Sequence, residues 1–310
     1  MSQIQTYQLP TIDLTYPAVT LDNAYGTTVQ IPLYRTQLVR DYILSVTQGT
    51  LNGGTSPTWA TSSSKPLITH VRVEANNNVI FDADAQMIQF YEQWVEDDSP
   101  DGLHWKIRIA DVDLRTKQSI DATGMPSYSF NQVIMSVTVD TLADQTTGSP
   151  TSTTGTTLSI TEESAPRSAV TFQPLLVKHL QISTSLSTNG VNDLTSFLSQ
   201  DGAYSSMLMY ADTGSSGYAA ASDSAISKVA LILNSTMKVR DAYWTALKAQ
   251  NQNVTGVKPA TGVSAFVFKD QLQASKLLNL KNTAQITNVD LQATTTVSSC
   301  RIVALKTEYF

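Results

Sequence analysis

Apolar and polar residues alternate with a period of two along much of this chain, and one such passage occurs twice. Residues Ile68 to Trp94 read ITHVRVEANNNVIFDADAQMIQFYEQW, and Ile226 to Asn251 read ISKVALILNSTMKVRDAYWTALKAQN. Each copy predicts a strand, a polar turn, a second strand and then a helix. Side chains of a strand point alternately to its two faces. Thr69, Val71 and Val73 therefore share one face, and 158 positions later Ser227, Val229 and Leu231 share one too. Asn76-Asn77-Asn78 becomes Asn234-Ser235-Thr236, residues that tolerate positive φ or hydrogen-bond their own backbone, so both mark hairpin turns. Beyond the turn Val79 and Phe81 match Met237 and Val239. Parity survives two strands and a turn, although a slip of one residue would reverse every side chain.

The helices agree less closely. Met87, Phe90, Tyr91 and Trp94 form one amphipathic stripe with Asp84 at the N-cap position. In the second copy Tyr243, Ala246, Leu247 and Gln250 form the expected stripe and Asp241 the cap, two residues early for the offset of the strands. Solenoid units run to roughly 20–50 residues, so a repeat this long is a domain repeat. The 310 residues also exceed what one core usually serves.

The remaining pattern fills in two β-rich halves. Residues 1–27, with Pro10, Pro17 and Gly26, are expected as an extended arm. Val29–Leu33 and Leu38–Val46 (LVRDYILSV) predict strands, and the breaker-rich stretch 47–66 predicts a loop. Strands are expected at Trp105–Ile109 and within Tyr128–Val139. The Thr/Ser/Gly-rich segment 143–168 is expected as the interdomain connection, with one short strand at Thr157–Thr161. Leu175–Ser183 matches LVRDYILSV in type and position. A short helix at Asn192–Leu198 and a loop at 211–224 precede the second hairpin. Strands then follow at Val263–Lys269, Thr283–Val297 and Arg301–Lys306. The expected division is an arm at 1–27, a first domain at 28–145, a linker at 146–168 and a second domain at 169–310. Seven or eight strands per half, joined by long loops with one or two inserted helices, favour an all-β fold of two tandem eight-stranded jelly-roll sandwiches.

Composition narrows the chemistry. Charged residues are 15% of the chain, against roughly 25% in ordinary soluble domains, which suits a surface largely covered by neighbours or built of long polar loops. The net charge is −6 and the 20 basic residues are scattered, so direct nucleic-acid binding is not expected. Cys300 is the one cysteine, which excludes an intrachain disulfide. The first residues carry no basic and apolar blocks of a secretory signal. The longest apolar run, Val229–Leu233, falls far short of the ~20 residues of a membrane span.

Candidate sites are few. His70, His104 and His179 share no metal-ligand spacing. The loop Glu96–Gly102 (EDDSPDG) gathers hard oxygen ligands and a turn-forming glycine, the chemistry that holds calcium, although a solvated acidic loop is the commoner outcome. Asp111 and Asp113 lack a placeable partner for paired-carboxylate chemistry. Tyr91 and Trp94 belong to the helix stripe. Trp59, Trp94, Trp105 and Tyr42 have the composition of a sugar-binding face, although core packing explains Trp94 better. Trp59, in a polar loop, is the candidate exposed anchor for a subunit contact. No catalytic residue, cofactor or metal ligand is assigned.

A hairpin of pattern V-x-V-x-x-N-N-N-x-I (Val71 to Ile80) followed at once by an amphipathic helix resembles the double jelly-roll major capsid proteins of tailless icosahedral viruses with an internal membrane. The tectivirus, corticovirus and finnlakevirus groups are similar in size, the Flavobacterium-infecting lipid-containing phage most of all. The resemblance spans most of residues 29–310 in architecture and transfers no individual residue. It implies a homotrimer whose six barrels make a pseudo-hexagonal tile of a virion shell above a lipid membrane, with other virion proteins at the vertices. Loops 47–66 and 211–224 would face solvent or neighbours. The arm 1–27 and the tail TEYF (307–310) would reach adjacent tiles or the membrane. Two readings compete: a jelly-roll carbohydrate- or receptor-binding spike or adhesin, which needs exposed aromatics or a metal, and an enzyme such as an amidase on the same scaffold, which needs converging acids.

Overall fold

A computed structural model of the chain describes residues 9–97, 101–111, 117–199, 202–214, 218, 220–268, 278–280 and 286–309. They divide into two compact units, one from residues up to Gln89 and from 101 to His179, the other from Phe90–Asp97 and Leu180 onward.

Unit 1 begins with β1 (Ile12–Thr15), β2 (Val19–Thr20), β3 (Thr28–Pro32) and the long β4 (Gln37–Thr47). Short strands β5 (Thr50–Asn52) and β6 (Thr58–Trp59) precede the hairpin of β7 (Ile68–Ala75) and β8 (Asn78–Asp84). Helix α1 (Ala85–Glu96), β9 (His104–Arg108), α2 (Lys117–Thr123), β10 (Met125–Pro126) and β11 (Val133–Val139) come next. One helical turn, α3 (Leu142–Gln145), leads through β12 (Thr146–Thr147) and β13 (Ser152–Thr154) to β14 (Thr157–Pro166). The eight principal strands form two antiparallel sheets, β1-β14-β4-β9 and β3-β11-β7-β8. In chain order these are the first, eighth, third and sixth strands against the second, seventh, fourth and fifth: a jelly roll.

Unit 2 repeats the pattern with β15 (Val177–Leu186), β16 (Gly190–Leu194), β17 (Ala203–Asp212), β18 (Ile226–Leu233), β19 (Met237–Tyr243), α4 (Trp244–Thr255) and β20 (Val263–Val267). The two-residue β21 (Leu278–Asn279), β22 (Val289–Thr295) and β23 (Cys300–Tyr309) complete it. Its sheets are β15-β23-β17-β20 and β16-β22-β18-β19, the same permutation.

The duplication extends to hydrogen-bonding detail. Asn76 and Asn77 sit at φ 49° and 64°, Asn234 and Ser235 at 51° and 57°, the two left-handed residues that a type I′ hairpin turn requires. Ladder irregularities fall at Val73/Glu74 in one hairpin and at Leu231/Ile232 in the other, positions matched by the repeat. The Asn76 side chain accepts from the N–H of Asn131 and Gln132, and the Asn234 side chain accepts from Thr287 N–H. In each unit a hairpin-tip amide therefore fastens the chain just before the seventh strand. Val71 and Val229 lie buried in the fourth strand of each sandwich.

Several expectations need correction. The arm 1–27 contains β1, which pairs with β14 along its length. The expected linker 146–168 contains β14, a central strand running to Pro166 and bonded to β4 over ten residues. Hydrophobic alternation in β14 stops after Ile160 because the next inward residues, Glu162 and Ser164, are buried polar groups; composition therefore mimics a linker. Residues 192–194, expected in a helix, belong to β16, an edge strand that alternates between half-buried and exposed residues. The second helix starts at Trp244 and buries Trp244, Leu247 and Asn251, while Asp241 and Tyr243 belong to β19. The tail does not leave the barrel, since Thr307, Glu308 and Tyr309 pair with β17. Phe310 lies outside the described residues.

Candidate assembly surfaces

The groups that might have carried chemistry are mostly locked into structure. In the acidic loop, residues 98–100 lie outside the described residues. Asp101 accepts from the N–H groups of Leu103 and His104 and pairs with the His104 ring. Asp111 is buried and Asp113 lies outside the described residues. No group of three His, Cys, Asp or Glu suited to a metal occurs among the described residues. His179 is buried, its ring centroid 6.0 Å from that of Phe81. Burial, with Asp212 nearby, pushes the Cys300 thiol up to about 11, so its nucleophilic thiolate is scarce at neutral pH.

Acids do converge in unit 1, but out of reach of substrate. Glu162 is fully buried on β14, opposite Tyr42 on β4. It accepts from the Tyr16 hydroxyl at 2.6 Å. Burial pushes its carboxyl upward, against the hydrogen bonds from Tyr16 and Ser164. On the neighbouring positions of β4, Arg40 pairs with Asp121 at 2.5 Å and Asp41 with Arg108 at 2.7 Å, all nearly inaccessible. These are struts that tie β4 to α2 and to β9, and β14 to the residue that follows β1.

Loop 47–66 and residues 146–154 were expected as two separate irregular segments. They form two small ribbons together: β5 pairs with β13 and β6 with β12. Thr58 and Thr147 join hydroxyls at 2.6 Å, and the Asn52 amide donates to Thr154 at 2.8 Å. The backbones meet so closely that a Cβ on Gly49 would stand 2.4 Å from the Thr154 carbonyl oxygen. Asp22 caps the turn beneath, accepting from Gly155 and Thr156 N–H at 2.9 Å and from the Thr153 hydroxyl at 2.8 Å. Desolvation opposes them, yet together these bonds outweigh it and hold the carboxyl below the usual pKa. Trp59, the expected exposed anchor, is only half-exposed, and its indole donates to the Gly49 carbonyl. Trp94 and Trp105 are buried, so no aromatic sugar platform forms from these residues.

The described part of loop 211–224 is tethered likewise. Arg301 makes two bonds to the buried Asp212, at 3.1 and 2.7 Å, and its guanidinium lies 5.0 Å from the centre of the Tyr218 ring. Tyr210 donates to the Tyr218 carbonyl and stacks on Phe90, centroids 5.3 Å apart.

One charged cluster faces outward on β7 and β8. His70 Nε2 lies 2.6 Å from Asp82 and Nδ1 3.0 Å from Asp84, while Arg72 pairs with Glu74 at 2.7 Å. Hydrogen bonds to Asp82 and then Asp84 raise the imidazole pKa to about 9, over the opposing effect of desolvation. The raised value means that imidazolium stabilisation is complete below about pH 6.5, the unfolded value, and is lost as pH rises through about 9. The melting temperature of wild type should exceed that of His70→Gln at pH 6, with the gap closing by pH 10. A gap that stays constant across this range would refute the charged pairing.

Among the described residues the exposed large apolar side chains are Tyr34, Ile43, Phe172 and Leu175 in unit 1 and Val191, Met237, Val239 and Tyr243 in unit 2. Three of these lie on β19, exposed at nearly every residue. The repeat matched Met237 and Val239 to Val79 and Phe81 of the first hairpin and put Tyr243 in a helix stripe. What distinguishes β19 is its position at the end of a sheet, which periodicity does not report.

No protein-family model and no curated protein matches the chain at the level of sequence. Solved structures match nearly the whole of it. A chain of Sulfolobus turreted icosahedral virus superposes with a TM-score of 0.71 at 15% identity, covering 98% of this chain and 91% of that one. The major capsid protein P2 of bacteriophage PM2 gives 0.69 at 11% identity, with 97% and 98% covered. The Faustovirus major capsid protein gives 0.62 at 9%, with 100% and 92% covered. No helix among the described residues is long and apolar enough to cross a membrane. The likeness is one of fold, and it runs end to end: this chain has the double jelly-roll fold of viral major capsid proteins.

Proposed function

We propose that the chain is a major capsid protein, acting as a structural subunit of a virion and not as an enzyme. Three copies form a pseudo-hexagonal tile, and tiles cover an icosahedral shell above an internal lipid membrane, with other proteins at the vertices. The observation that carries this reading is the paired repetition of one jelly roll, matched over 97% of this chain and 98% of the bacteriophage PM2 capsid protein. Two like barrels in one chain give a trimer six barrels around its axis, the geometry of a hexagonal tile from only three subunits.

The low charge content and the capped, threonine-rich ribbons suit a surface buried by neighbours. Purified protein should sediment as a species of three times the 33.7 kDa chain mass. Particles from the source should show a lattice of pseudo-hexagonal tiles by electron cryomicroscopy. A glycan-binding monomer with no lattice in any particle would reject the reading in favour of a spike or adhesin.

A further inference from the structure

The fifth strand of the jelly roll is treated differently in the two units. In unit 1 it is β8, where Ile80, Phe81 and Ala83 are at most 2% exposed. In unit 2 it is β19, where Met237 is 60%, Val239 36% and Tyr243 65% exposed. β19 bonds to β18 on one side and ends its sheet on the other. A bare edge strand presents unpaired backbone groups, and apolar residues along it make it a template for another chain.

Charge restricts the partner. Lys228, Lys238 and Arg240 lie on β18 and β19: Asp241 stands 2.9 Å from Lys228 and 3.5 Å from Lys238, while Arg240 donates to the Val267 carbonyl. Two copies of this edge face to face would set like charges opposite each other, which disfavours a symmetric contact. A second bare edge of the same chain has the opposite character. Among the described residues β1 pairs only with β14. On it the exposed Asp13 stands directly across from Glu163, both acids on one face of the sheet. The nearby cation Lys106 serves Glu163 at 3.7 Å and Asp41 at 3.5 Å together. Half-buried Ile12 and Leu14 alternate with Asp13.

We propose that β19 of one copy docks along β1 of a second copy, a head-to-tail contact between a basic, apolar edge and an acidic, apolar one. This rests on the capsid reading and assigns its subunit contact to two named strands. Because the two patches differ, each copy offers both, and the contact makes a ring when the rotation between copies closes.

Sedimentation velocity over a dilution series tests it on the full chain. Met237→Glu/Val239→Glu should weaken self-association by about a hundredfold or more, with circular dichroism and melting close to wild type. Asp13→Lys and Lys238→Glu should each weaken it by about fivefold, and the two combined in one chain should restore it. As a second measurement, Leu14→Cys/Val239→Cys should cross-link between copies under oxidation, Cys300 being buried. A wild-type oligomer that is unaffected by the edge variants, or single charge reversals that the combination does not rescue, or no cross-link, overturns the docking while leaving the capsid reading in place. A wild type that is monomeric at every concentration overturns both.

Discussion

Asp121→Ala should lower the free energy of unfolding by about 3–5 kcal/mol. Asp121 accepts from Arg40 Nε at 2.5 Å, and the two side chains are 2% and 3% exposed. Removing the carboxylate leaves a guanidinium in a dry site with no anion, and burying an uncompensated charge is among the most costly single changes in a folded protein. Arg40 also donates to the Thr11 hydroxyl at 2.8 Å and the Leu9 carbonyl at 3.4 Å, so the same cation anchors the chain leading into β1. Leu9 in turn packs with Leu38 and Ala165. Arg40→Met combined with Asp121→Leu removes both charges and should recover most of the loss, because a buried ion pair contributes little beyond its apolar replacement. Guanidinium denaturation followed by tryptophan fluorescence measures all three proteins. Equal losses in the single and double variants would show that geometry, and not charge burial, sets the cost.

Trp244→Ala should cost unit 2 a comparable amount, about 3–5 kcal/mol. The indole is fully buried at the start of α4, in one cluster with Val229, Leu231, Leu247 and Phe266. Its N–H reaches Asp223 at 3.4 Å. The surrounding core side chains close only part of the cavity left by alanine, so transfer and cavity terms add. The position at the start of the helix in unit 1 is Ala85, also fully buried. The repeat therefore keeps the backbone while filling its two cores with different volumes. Trp244→Phe retains most of the buried area and should lose less than half as much. Similar losses for alanine and phenylalanine would place the cost in the Asp223 bond instead of in packing.

Legibility of the fold followed the clarity of its hydrophobic pattern. The hairpin 68–84 was readable from the alternation of β7 and a turn whose residues tolerate positive φ, and 226–243 because it repeats that order of residue types and that turn. β4, β9, β20 and β23 were readable from runs rich in Val, Ile and aromatic residues, which favour strands even where, as in β20 and β23, most residues are buried. β17 was not, since all ten of its residues are buried and a strand covered on both faces shows no alternation. β14 was hidden by buried Glu162 and Ser164, whose polar atoms are acceptable only because Tyr16, far away in sequence, arrives to bond one of them. The ribbons at 50–59 and 146–154 were missed for a related cause: hydroxyl-rich residues form strands there because each segment finds the other.

The amino-acid order alone thus settled the all-β class, the duplication and the face on which each hairpin residue lies, because those properties are local and periodic. Which strands lie at an edge, which charges become buried struts and which apolar residues stay bare were decided by tertiary structure. Val239 and Phe81 occupy one position of the repeat and follow one pattern. Their opposite exposures depend on what lies beside the strand, and a chain's periodicity carries no record of its neighbours in space.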